Sequence, residues 1–132
     1  MAIKYLDLSD ALIIHLRLMQ RIGETRFGIE SLDLIESALA RPLQVANYEN
    51  ADIIRQAATL YFGFIKNHPW LGGNKRTATA LVDEFLYRND YEINASLKEI
   101  VELVLAIESD RFKVDEIEGW LRTRVVKIEN LG

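Results

Sequence analysis

Residues 51–89, ADIIRQAATLYFGFIKNHPWLGGNKRTATALVDEFLYRN, decide the fold that this sequence predicts. The first part of the stretch places apolar residues at helical spacing, namely Ile53, Ile54, Ala57, Ala58, Tyr61, Phe64 and Ile65. The last part repeats that spacing with Ala78, Leu81, Val82, Phe85 and Leu86. The pattern predicts a central helix over residues 51–67 and a one-faced helix over 74–89. Pro69 and two glycines predict a break between them.

The segment before residue 51 predicts two more helices. The first ends near Arg21, with Ser9 or Asp10 as its N-cap and Gly23 at its C-terminus, because glycine accepts the left-handed conformation of a helix stop. The second runs from residue 31 or 32 to residue 40. Residues 42–50 show partial alternation and no helical stripe, which favours an extended flap or a short β-hairpin.

Two further helices are predicted after residue 90. Ser96 and Glu99 have the spacing of a capping box, in which each residue bonds the backbone N–H of the other. The buried side of a last helix is formed by Ile117, Trp120, Leu121 and Ile128. The fold class that follows is all-α, a compact bundle of about six helices in a single domain over residues 1–132.

Composition narrows the classes of function. Hydrophobic residues make up 49% and charged residues 27%, the balance of a chain that folds. The net charge of -4 argues against direct nucleic acid binding and against an anionic membrane surface. The absence of cysteine excludes disulfides and thiolate metal sites. No apolar run approaches a membrane span and the N-terminus does not resemble a signal peptide, so we expect a cytoplasmic protein without a membrane partner.

The connection between the two central helices carries the candidate chemistry. Gly72 and Gly73 allow a tight turn that leads into a helix N-terminus, where unpaired backbone N–H groups and the helix dipole favour an anion. Lys75 and Arg76 are unfavourable at that positive end unless a phosphate compensates them. His68 has the side chain best suited to accept a proton near neutral pH. From the residues alone, the alternative is that His68 caps a helix end and the cations are solvated.

The stretch resembles the motif of the Fic superfamily, His-x-Phe-x-Asp/Glu-Gly-Asn-Gly/Lys-Arg. His68, Gly73, Asn74, Lys75 and Arg76 match it at the right spacing, with Trp70 as the aromatic residue. Lysine at position 75, followed by Thr77 and Ala78, is similar to the Doc (death on curing) branch.

This resemblance implies a Fic fold, His68 and Arg76 as catalytic residues and ATP as co-substrate. The nucleotide site that it implies consists of Gly72, Gly73, Asn74, Lys75, Arg76 and Thr77. It also implies that a target peptide lies along the flap, where Asn47 and Tyr48 are the candidate contacts.

The Doc branch further implies a toxin of a toxin–antitoxin system. Such a protein transfers phosphate from ATP to a serine or threonine hydroxyl of a protein substrate, elongation factor Tu being the implied target, and a cognate antitoxin restrains it. Two alternatives remain open, an AMP transferase of the wider superfamily and a binding protein that has lost catalysis.

Position 72 departs from the motif. The family's acidic residue there holds magnesium, whereas this chain has Gly72, so the usual acidic ligand of Mg²⁺ is absent and no metal residue is assigned. Three alternatives follow from this departure: a slow or metal-tolerant transferase, a transferase that uses another carboxylate, or a chain that kept the fold and lost the chemistry. Of the remaining candidates, His15 is predicted to be an interior group and Trp70 to anchor the loop in the core.

Overall fold

The computed structural model describes residues 2–129, which form six α-helices and one two-stranded sheet. The helices are α1 (Leu8–Ile22), α2 (Leu32–Glu49), α3 (Ile53–Asn67), α4 (Asn74–Arg88), α5 (Leu97–Glu108) and α6 (Val114–Arg122). Strands β1 (Tyr91–Ile93) and β2 (Val125–Lys127) pair antiparallel, with Glu92 opposite Val126. The predicted all-α class and the predicted number of helices are confirmed for the described residues.

Helix α3 is the centre of the bundle. Ten of its residues are buried, among them Leu60, Tyr61 and Phe64, and it packs against α2, α4 and α6. A helix that is apolar on most of its circumference is stable only when it is surrounded by other elements. The motif residues therefore directly follow the helix at the centre of the core.

Several helix ends lie close to their predicted positions. Helix α1 is capped by Asp7, whose side chain accepts the N–H of Asp10, and not by Ser9 or Asp10 as predicted; it ends at Gly23, as predicted, with φ 71° and ψ 25°. Ser96 and Glu99 form the predicted capping box at the start of α5. Both ends follow from side-chain and backbone chemistry that is local in sequence.

The predicted flap over residues 42–50 is wrong, because α2 continues through Pro42 to Glu49. Proline lacks the N–H that would bond the carbonyl of Ala38, which costs the helix one hydrogen bond. Pro42 is nevertheless buried on the same face as Ile35 and Ala38, against the central helix, and this packing outweighs the local cost. Tyr48 is 89% exposed on the last turn of α2, so it belongs to no hairpin.

The predicted last helix is too long. Helix α6 ends at Arg122, and Ile128 follows strand β2, where its N–H donates to the carbonyl of Asp90 at 2.8 Å. Ile117 and Leu121 are buried as predicted, whereas Trp120 is half-buried beneath the guanidinium of Arg124. Strand pairing with a segment more than thirty residues away ended the helix, and periodicity alone cannot reveal such pairing.

No helix in residues 2–129 combines the length and the apolar character that crossing a bilayer requires.

Candidate active site

The motif loop (residues 68–73) joins α3 to α4 and has an unusual backbone at each end. His68 ends α3 with φ 51° and ψ 52°, and Gly73 begins α4 with φ 71°. A positive φ suits glycine but strains a residue with a Cβ. The strain at His68 is located at the one residue of the loop that has acid–base chemistry.

Trp70 fixes the middle of the motif loop to the core. Its side chain is fully buried, and its ring stacks on His15 at 4.0 Å between centroids and on Phe64 at 6.4 Å. Trp70 therefore lies in the core, as predicted, and its ring is not available to a nucleotide base.

His15 lies behind the loop as a neutral structural group. Its Nε2 accepts the backbone N–H of Gly28 at 3.0 Å, which places the ring proton on Nδ1, 2.9 Å from Oγ1 of Thr77. Burial lowers the pKa of His15 to about 4, so the ring is uncharged at neutral pH. The bond also turns the fully buried Thr77 inward, so that its hydroxyl faces His15 and not the loop surface.

Asn74 ties the loop to the first turn of α4. Its Oδ1 accepts the N–H of Trp70 at 3.0 Å and its Nδ2 donates to the carbonyl of Trp70 at 2.9 Å, which together fix the orientation of the amide. The second hydrogen on Nδ2 is directed at Nδ1 of His68, 3.2 Å away. The side chain is therefore engaged inside the protein, and the backbone N–H is the group that Asn74 offers to a ligand.

The bond from Asn74 sets the tautomer of His68. Because Nδ1 accepts a hydrogen bond, neutral His68 carries its proton on Nε2. The side chain is exposed beside the start of α4. His68 thus has one lone pair, at Nδ1, and one N–H that can donate.

The N-terminus of α4 lacks a side-chain cap. Gly73 has none to offer, the first turn contains no acidic residue, and the N–H groups of Asn74, Lys75 and Arg76 have no acceptor within residues 2–129. Four other helices are capped by Asp7, Ser31, Asp52 and Ser96. The start of α4 is thus a cluster of free N–H donors at the positive end of a helix dipole.

The two cations differ in their surroundings. Nζ of Lys75 lies 2.9 Å from Oε2 of Glu108 at the end of α5, with both side chains 43% exposed. Arg76 is exposed and forms no ion pair within the described part of the chain. Arg76 is therefore free to meet an anion, whereas Lys75 must first leave a weak surface pair.

These groups surround one open cavity of about 430 Å³. Its lining residues are Ile22, Gly23, Glu24, His68, Gly72, Gly73, Asn74, Lys75 and Arg76. A larger depression, of about 920 Å³, is lined by Tyr87, Arg88 and Asp90 among others and includes no motif residue. The structure brings His68 and the predicted residues 72–76 together in this lining, but Thr77, Asn47 and Tyr48 are absent from it.

Sequence reasoning missed the crossing segment (residues 24–30), which passes over the motif loop. The N–H of Leu71 donates to the carbonyl of Gly28 at 2.9 Å, the N–H of Glu30 donates to the carbonyl of Pro69 at 2.9 Å, and Ile29 forms an antiparallel bridge with Trp70. The sequence predicted an extended segment at residues 42–50, whereas the structure has a helix there and places an extended segment at residues 24–30, against the motif loop. Its only sequence signal is the pair Gly23 and Gly28, which bracket a stretch without periodicity.

The crossing segment determines what position 72 can be. A Cβ on Gly72 would overlap the carbonyl oxygen of Arg26 and lie 3.2 Å from its carbonyl carbon. The position where the motif has a metal-holding acid therefore has no room for a side chain. Residues 2–129 also contain no group of three histidine or acidic side chains placed to hold a metal ion. The residues present do not fit a magnesium ion held in the family's usual way.

Comparison with known proteins agrees with this geometry. No curated protein matches the chain. The sequence profile of the Fic/DOC family matches residues 5–86, which is more than half of the chain and includes α1, the crossing segment, the motif loop and nearly all of α4. The chain therefore belongs to the Fic/DOC family.

Proposed function

We propose that this protein transfers the terminal phosphate of ATP to a serine or threonine hydroxyl of a protein substrate. The observation that carries the proposal is the uncapped start of α4, where three free N–H groups, Lys75 and Arg76 share a cavity with His68. Free donors at a helix N-terminus bind phosphate, and nearby cations add charge-assisted bonds. Membership of the Fic/DOC family supports nucleotide-dependent group transfer at this place.

His68 activates the attacking hydroxyl in this proposal. The lone pair of neutral His68 is on Nδ1, so the proton moves there and the 3.2 Å bond from Asn74 is given up. The hydroxyl oxygen forms a bond to the terminal phosphorus, the bond from that phosphorus to the bridging oxygen breaks, and ADP leaves. Arg76 and the free N–H groups stabilise the negative charge on the phosphates.

The class of transfer is tested with labelled ATP. The protein is incubated with purified elongation factor Tu, the target that the Doc resemblance suggests, and with ATP labelled at the γ or the α phosphate. Transfer of γ label that is lost in His68→Ala supports the proposal. Transfer of α label identifies an AMP transferase instead, and ATP binding without any transfer identifies a protein that has lost catalysis.

A toxin role follows from the same proposal. Phosphorylation of a translation factor arrests growth, and a cognate antitoxin expressed with the protein relieves the arrest. Expression of the wild-type chain should stop growth of a bacterial host, whereas His68→Ala should not. Equal arrest by both chains would contradict the link between toxicity and this site.

A further inference from the structure

Gly72 is the point where the crossing segment contacts the motif loop. We propose that the phosphate site of this protein binds the polyphosphate of ATP without a metal ligand from the protein, with the start of α4, Lys75 and Arg76 supplying the positive potential. The inference rests on the proposed nucleotide site and adds that the fold itself excludes an acidic side chain at position 72. Restoring an acid at position 72 then does not restore a magnesium site.

The atom that a side chain at position 72 would meet is the backbone carbonyl oxygen of Arg26, not the end of a flexible side chain. A contact with backbone is relieved only if the chain itself moves. Any side chain at this position, aspartate included, therefore displaces the crossing segment or shifts the motif loop.

The crossing segment is fixed on both sides of Arg26. Gly28 donates its N–H to the buried His15 and accepts the N–H of Leu71, and the carbonyl of Pro69 accepts the N–H groups of Glu30 and Ser31. On the other side, the N–H of Glu24 donates to the carbonyl of Met19 in α1 at 3.0 Å. Moving this segment breaks several of these bonds together.

The cavity offers few oxygen atoms that could bind a metal ion. Glu24 provides the one carboxylate among the described residues that line the cavity, and one of its oxygens already accepts two N–H groups. A nucleotide-bound magnesium ion takes one or two protein carboxylates together with phosphates and waters, and the one carboxylate of this cavity is already engaged by backbone N–H groups. Free N–H donors and two cations are therefore the groups that this cavity offers to a polyphosphate.

Calorimetric titration of the wild-type protein with ATP tests the inference directly. The titration is done once with excess EDTA and once with excess magnesium. We expect the two dissociation constants to agree within about threefold, a difference of less than 1 kcal/mol. Magnesium that tightens binding by about tenfold or more would overturn the inference and leave the proposed function standing. Absence of ATP binding under both conditions would overturn the proposed function and this inference with it.

Variants at position 72 distinguish the effect of side-chain size from the effect of an acidic charge. Gly72→Ala and Gly72→Asp should both increase amide hydrogen exchange in residues 24–30, and neither should make ATP binding depend on magnesium. Gly119→Asp is the matched control, because a Cβ at this α6 position meets nothing within 4 Å. Tight binding that requires magnesium in Gly72→Asp, with unchanged exchange in residues 24–30, would show that an acid fits there and would refute the steric argument.

Discussion

Replacing Asn74 with alanine is expected to destabilise the fold by about 1.5–5.5 kcal/mol, because two backbone groups of a buried residue lose their partners. The N–H and the carbonyl of Trp70 bond the amide of Asn74 at 3.0 and 2.9 Å, and Trp70 is inaccessible to solvent. Each orphaned buried group costs roughly 1–3 kcal/mol, and the better helix propensity of alanine returns about 0.5 kcal/mol.

The measurement is urea denaturation followed by far-ultraviolet circular dichroism, with linear extrapolation to zero denaturant. Asn67→Ala is the control, because Nδ2 of Asn67 donates to the carbonyl of Leu34 at 3.0 Å at the protein surface. That variant should lose less than about 1 kcal/mol, since water replaces an exposed partner. If Asn74→Ala lost as little as the control but bound ATP much more weakly, the side chain would face the ligand and the reasoning would be refuted.

Three further predictions concern single residues near the site. His68→Gly should abolish transfer yet stabilise the fold by about 0.5–1 kcal/mol relative to His68→Ala, because glycine accepts the positive φ of 51° without strain; lower stability of the glycine variant in urea would contradict this. The pKa of His15 is about 4 in the folded state and 6.5 in the unfolded state. The stability that neutral His15 contributes is therefore complete above pH 6.5 and is lost as the pH falls towards 4. Between pH 7 and 4.5 the free energy of unfolding of the wild type should therefore fall by about 2–3 kcal/mol more than that of His15→Gln. Equal decreases in the two proteins would contradict this role of His15. Glu108→Gln should release Lys75 and tighten ATP binding by about two- to fivefold, with stability changed by less than about 0.5 kcal/mol, and unchanged affinity in calorimetry would count against a role for this pair.

The helices were predictable where the chemistry that forms them is local. The stop at Gly23 and the capping box at Ser96 depend on residues within one turn, so the sequence contains the whole cause. The continuation of α2 through Pro42 depends on packing against α3, a contact between two separate helices that the local pattern of residues does not show. The end of α6 likewise depends on pairing of β2 with β1. These errors arose because tertiary contacts override local preference.

The sequence was sufficient to locate the candidate site along the chain, but not to identify the segment that covers it. His68, Arg76 and the glycines were found from their residue types and spacing, since a tight turn followed by cations at a helix start suggests an anion site. The crossing segment has no periodicity and contributes mainly backbone groups, so its side chains gave little indication of where it lies. The same contact explains Gly72, which in the sequence resembled a lost acid and in the structure is a steric requirement.

The direction of each motif side chain follows from the helical period of α4. Asn74 and Thr77 lie one turn before Ala78 and Leu81 on the buried stripe, so both must face the core, and their side chains bond to Trp70 and His15. Lys75 and Arg76 lie between these positions and therefore face away from the core. Since Asn74 and Thr77 already have internal partners, recognition of phosphate must come from backbone N–H groups and from the two cations. Substitutions of the inward pair should therefore change stability first, whereas substitution of Arg76 should weaken ATP binding and transfer with little change in stability.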